Sequence, residues 1–261
     1  MNMYMMLSNM ERYSGYYDYG YRNRSTGVAD WEVILYIAII IVAIISIIAS
    51  IRVKSVFNKY NQIPSMSGFT GATAAQRILQ YAGVTGVRIT VTEGTLTDHY
   101  DPRDKTLYLS KPVFYGNSVA AIGVAAHESG HAMQHAEGYA PLRLRSALVP
   151  AASIGSNFGI WIAIIGYGVA QSMAGGALWL MDIGIIMFGA AVVFHLVTLP
   201  VEFDASFRAV RYTASLGVLS HDEEKGCKKV LMTAAMTYVA AAAAATLQLV
   251  RLLVMRNNSR R

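Results

Sequence analysis

Hydrophobic positions along this chain fall into two kinds of block. The long kind is uncharged. Residues 33–51 hold no charged group and are dense in isoleucine, enough to cross a bilayer as a helix. In residues 146–201, apart from Tyr167, only Asp182 and His195 can ionise. That length predicts two spans, about 148–171 and 177–199, joined by a tight turn at Ser172-Met173-Ala174-Gly175-Gly176. In the first of these, Gly155 and Gly159 offer a small-residue face for close helix packing. Residues 230–250 form a further uncharged run, alanine-rich and long enough to span.

The short kind carries the periodicity of soluble elements. Residues 72–82 place Ala75, Ile78, Leu79 and Ala82 on one stripe, an amphipathic helix that Gly83 ends. Residues 87–91 and 106–110 read as strands, and the polar stretch 94–105 between them reads as a connection. The expectation is a small antiparallel sheet, with an edge open to an extended peptide. Residues 117–139 read as one helix, rich in alanine and valine, with no proline before Pro141. Ser220 with Glu223 predicts a capping box at the start of the last helix.

The plan is therefore mainly α: about four transmembrane helices plus a small α+β unit. Its parts are a tyrosine-rich tail (1–30), a first transmembrane helix (31–52), a soluble segment (53–145), a transmembrane hairpin (146–200), a separate helix after it (201–227), and a C-terminal membrane helix with a basic tail (228–261). The tail lacks the basic start and apolar core of a signal peptide.

Composition changes the picture little. The chain is 54% hydrophobic and 15% charged with a net charge of +6, and the apolar runs account for the first number. Positive flanks of membrane spans account for the charge. Lys and Arg do not gather into an aromatic-laced patch, which argues against nucleic acid as a partner. Cys227 is the only cysteine, so no internal disulfide can form. Arg52, Lys54 and Lys59 after the first span, with Arg143 and Arg145 before the hairpin, predict a multi-pass protein of the cell membrane whose soluble segment faces the cytoplasm. Arg251, Arg256, Arg260 and Arg261 then fall on the wrong side. Either the last helix crosses in that unfavoured orientation, or it packs on the bundle without crossing.

The chemistry sits in the 117–139 helix. His127-Glu128-Ser129-Gly130-His131 is an H-E-x-x-H sequence, whose histidines lie one turn apart on one face and can share a metal ion. Glu128, beside the ion rather than on it, can take a proton from activated water. His135 extends the same face. The metzincin extension is absent, because Gln134 and Glu137 stand where it needs Gly and His. The third ligand must come from Glu137, Asp182, Glu202, Asp204, Asp222, Glu223 or Glu224, and Glu202 is the best choice on the expected topology. One Zn²⁺ per chain is the expected cofactor. Arg208, His99 and Tyr100 are oxyanion donors by residue type, and His195 precedes Glu202 by two helical turns.

Three stretches resemble the YugP-like membrane zinc metallopeptidase family: Asp98-His99-Tyr100-Asp101-Pro102, residues 124–132 around the histidines, and Leu199-Pro200-Val201-Glu202-Phe203-Asp204-Ala205-Ser206. In plan that family is similar to gluzincin membrane proteases such as HtpX and the CAAX prenyl endoproteases. The resemblance implies Glu202 as third ligand. It also implies an aspartate four residues later, orienting a zinc histidine. Here that position is Ser206, and Asp204 or His195 could substitute. The expected function is a zinc-dependent metalloendopeptidase acting on a peptide or membrane-protein substrate at the bilayer. Two alternatives stand beside it: an intramembrane-cleaving zinc protease with Asp182 as ligand, and a zinc-stabilised scaffold without catalysis.

Overall fold

The computed structural model describes residues 27–172 and 178–259, with side chains from residue 33. Most of the expected tail, residues 1–26, lies outside the described residues, as do residues 173–177 of the turn and Arg260 and Arg261. The first helix, α1 (Gly27–Asn61), runs well past the expected boundary at residue 52. No glycine or proline interrupts it before Pro64, so the apolar span continues unbroken into the soluble part.

The soluble part begins with α2 (Gly71–Tyr81), whose first turn is closed by Thr70 and Thr73. Three strands follow: β1 (Arg88–Thr92), β2 (His99–Asp101) and β3 (Thr106–Ser110), in the order β1-β3-β2. Two expectations are corrected here. The sheet is mixed, because β1 runs parallel to β3 and only β2 is antiparallel to it. The polar connection 94–105 contains a strand, β2, as one arm of a hairpin. Three residues are too few to show an alternating pattern. Polar side chains hold this arm in place instead. Asp98 accepts from the Ser110 N–H and hydroxyl, and Asp101 receives the Arg103 guanidinium.

A short α3 (Lys111–Phe114) leads to α4 (Val119–Ala136), N-capped by the Ser118 hydroxyl, which accepts from the Ala121 N–H. Gly138, at φ +67°, ends it. Then come α5 (Ala140–Ile154), a wide turn at Gly155–Gly159, α6 (Ile160–Ser172), α7 (Leu178–Ser215) and α8 (His221–Asn258). Pro200, which fits either the first turn of a new helix or a kink in the old one, lies inside one helix, so residues 201–215 are not a separate element. Helix α7 passes through Pro200 without a break, so Glu202 rides on the membrane helix itself. The last helix starts at His221, where the Ser220 and Glu223 pair predicts it, with the Glu223 carboxylate accepting from the Ser220 N–H; the expected boundary at residue 228 falls inside this helix.

Among the described residues, four helical segments are long and apolar enough to cross a membrane: Val33–Asn61, Ala140–Ser172, Leu178–Ser215 and His221–Asn258. Ile40, Ile47, Ile48 and Ile51 of α1 are 55–63% exposed. Each large aliphatic side chain left in water forgoes about 1.5–3 kcal/mol, so a row of them would rival the whole stability of a domain. Lipid removes that penalty. In the hairpin, a methyl group added to Gly155, Gly159 or Gly184 would overlap backbone atoms of the facing helix, so these glycines set how closely α6 meets α7.

The run of α8 bears on the two readings of the basic C-terminus. Arg256 grips Asp182 at the start of α7 through two bonds of 2.7 and 2.8 Å. Arg251 donates to the Tyr36 hydroxyl near the start of α1 and lies over its ring. At its other end Glu223 accepts from the Met66 N–H in the soluble part. Helix α8 therefore travels the length of the bundle.

Candidate metal centre

Helix α4 is buried along nearly all of its length, from Val119 to Gln134. Two glycines allow this. A side chain at Gly123 would strike the Cys227 Sγ of α8, and one at Gly130 would lie 2.8 Å from the Ala205 carbonyl of α7. Gly130 lies inside the H-E-x-x-H sequence, so the close approach of α7 occurs beside the two histidines.

That approach brings Glu202 onto them. Its Oε2 lies 3.4 Å from His127 Nε2 and 3.7 Å from His131 Nε2, and ligand atoms of the three residues fall within 4.8 Å of one another. Each histidine is held from behind. The Ser206 hydroxyl stands 3.2 Å from His127 Nδ1, and Gln134 Oε1 stands 3.0 Å from His131 Nδ1. The Gln134 amide nitrogen donates to the Val201 carbonyl and to Asp204, so its oxygen is the end that faces His131. Asp204 is fixed in turn by Arg208, which also reaches Glu137 at the end of α4. With both Nδ1 atoms engaged, both Nε2 lone pairs are left for an ion.

This donor set suits zinc: two imidazole nitrogens, one carboxylate oxygen, and room for a fourth ligand. Burial disfavours a charged His131, but Glu202 and Glu128 around it outweigh burial and lift its pKa above the ordinary histidine value. A cation is what this pocket attracts. The other Glu202 oxygen, Oε1, accepts from Arg145 at 2.9 Å.

Glu128 is buried and faces two connected spaces. One is a cavity of about 190 Å³ walled by Phe57, Val124, Leu231 and Tyr238. The other is a groove of about 650 Å³ that runs between β2 and α5, past Tyr100, Arg145 and Tyr238. Asp98 lines both, and burial pushes its carboxyl above the usual carboxylate range.

The other sequence candidates scatter. His135 bonds the Tyr100 hydroxyl at 2.8 Å, and His99 is exposed on the groove rim, stacked on Tyr108. Arg208 is committed to Asp204 and Glu137 and lines neither cavity. His195 joins neither the ligand cluster nor the cavity walls. Asp182, twenty residues and about 30 Å of helix from Glu202, is held by Arg256 and is not the third ligand.

Sequence reasoning missed Gln134, Arg145 and Tyr238. Gln134 was visible only as the residue that breaks the metzincin pattern, and Arg145 only as a membrane flank. Tyr238 did carry a signal, as the one hydroxyl-bearing aromatic within the alanine-rich run 230–250.

Fold and site together define a mainly α membrane protein with a two-histidine, one-glutamate cluster that could hold a metal ion and opens on a groove. The chain belongs to the family described as "Putative neutral zinc metallopeptidase", whose profile matches residues 35–257. It is 46% identical over 194 residues to the "Putative membrane protease YugP" of Bacillus subtilis (strain 168), covering 74% of this chain and 84% of that protein. No solved structure matches the chain.

Proposed function

We propose that the protein is a membrane-anchored zinc endopeptidase that hydrolyses peptide bonds at the cytoplasmic face of the cell membrane, with one ion per chain. The observation that carries this reading is the buried Glu128 beside the His127, His131 and Glu202 cluster, at the head of an open groove. A structural site needs no such base.

Zinc held there would act as a Lewis acid, lowering the pKa of water toward neutrality. Glu128 takes the proton from the attacking water and passes it to the leaving amine. Tyr238 faces Glu202 and Arg145 across the cavity and is the donor best placed for the developing oxyanion. His99 and Tyr100 are tied to Thr97 and His135 and serve the groove rim. Among the described residues strand β2 has a partner on one side only, and its other edge borders the groove. An extended peptide can pair along it as a further strand. Arg52, Lys54, Lys59 and Arg143 gather at the same end of the bundle and favour the cytoplasm for it.

The test is metal content and casein hydrolysis of the purified protein beside Glu202→Gln. Near one zinc per chain with hydrolysis, both lost in the mutant, is the expected result. Full zinc in the mutant would overturn the ligand set.

A further inference from the structure

The cavity beside Glu128 has a second mouth, between two of the helices that are long and apolar enough to cross a membrane. Val53, Leu96, Ala234 and Tyr238 wall the cavity beside Glu128, and the same four wall a cleft that continues outward between α1 and α8. Ser50, Ile51, Lys54 and Thr237 complete that cleft. It offers about 480 Å³, more than the cavity behind it.

Helix α1 is arranged to permit passage there. It is tied at one end by Tyr36 to Arg251 and at the other by the buried Phe57. Between them no residue of its apolar window is buried, and its inward stripe of Ala38, Val42, Ser46 and Ala49 is only half-covered. The facing helix is mostly alanine at this level. Small side chains in shallow contact make a seam that separates at low cost. At the junction of cleft and cavity stands Leu96, held at φ +58°, a conformation that a leucine rarely adopts. The turn that holds it is closed by the Thr97 hydroxyl on the Glu93 carbonyl.

We propose that this seam admits the substrate from the bilayer, and that the substrate is a peptide anchored there by its own apolar helix. An occupant arriving between two lipid-facing helices comes from lipid. Lys54 and the neighbouring Arg52 put the mouth at the level of the membrane surface, so the scissile bond lies just beyond the anchor rather than within it. The groove along β2 then takes the soluble side of the chain. The proposal rests on the protease reading and extends it to the substrate class.

The test uses proteoliposomes and two probes: a casein-derived peptide, free or joined to an apolar leucine-alanine helix of about 20 residues. Catalysis is first left out. In Glu128→Gln protein, a benzophenone next to the anchor should cross-link to α1 or α8 near Ser50 and Thr237. Thr237→Trp and Ser50→Trp, which fill the mouth from opposite walls, should each abolish that product. Cross-links at the hairpin helices α6 and α7, or none, would overturn the proposal whether or not the protein is a protease. In the active protein the ratio of anchored to free cleavage should fall about tenfold in both tryptophan variants with zinc unchanged. An unchanged ratio would overturn it as well.

Discussion

At the scale of single residues, the centre is built in two layers, and the outer one departs from the pattern of the resembling families. Ser206 stands where they have an aspartate, and it still meets His127 Nδ1. His131 is oriented by Gln134, and Asp204 acts one step further back, through the Gln134 amide. Glu128→Gln should keep zinc and abolish hydrolysis; loss of zinc as well would make Glu128 a ligand. Gln134→Ala should weaken zinc about 10- to 100-fold in a competition titration, because the imidazole loses the partner that fixes its tautomer. Tyr238→Phe should leave zinc bound and lower kcat by about 10²-fold with KM little changed, as expected on removing one oxyanion donor. A KM effect alone would demote Tyr238 to substrate binding. The two histidines were legible because i, i+4 spacing on a helix is a local property of sequence, and Glu202 only through the expected topology and the resemblance. The outer layer was legible only in part: the resemblance pointed to Ser206 and Asp204, whereas Gln134 and Arg145 gain their roles only when α4, α7 and α5 meet.

At the scale of elements, the spacing between α4 and α7 sets the site. Gly130 has no room for a methyl group against Ala205, whose backbone cannot yield as a flexible side chain would. Gly130→Ala should push α7 back by a few tenths of an ångström or more, lift Glu202 off the histidines, and cost most of the bound zinc. Metal analysis of the folded variant checks this, and full zinc with wild-type stability would show that the contact is slack. The long helices and two of the strands were readable from hydrophobic runs and periodicity. Two features were not. Pro200 suggests a boundary, yet the neighbours of α7 hold it through that point as one helix. Strand β2 is specified by the Asp98 and Ser110 bonds and the Asp101 and Arg103 pair, contacts that carry no period.

At the scale of the whole molecule, the ends of the helices must agree on which side they face. Asp182 and Arg256 bind each other, and Arg251 binds Tyr36, so the start of α7, the end of α8 and the Tyr36 level of α1 share one end of the bundle. The metal centre is at the other. On the proposed topology these pairings would let a basic C-terminus sit on the side that positive charge avoids. Arg256 is matched by a carboxylate and Arg251 is spread over an aromatic ring, so neither acts as a bare cation during insertion. Reporter fusions should therefore divide cleanly. A fusion after Tyr60 should read as cytoplasmic, and fusions after Ser172 and after Ser259 should both read as exterior. Asp182→Asn should weaken the agreement at the C-terminus, giving a mixed signal there, while zinc content stays at the wild-type level. A cytoplasmic signal at Ser259 in the wild-type chain would mean that α8 does not cross. Zinc lost in Asp182→Asn would return that carboxylate to the metal and with it the reading in which cleavage happens inside the membrane.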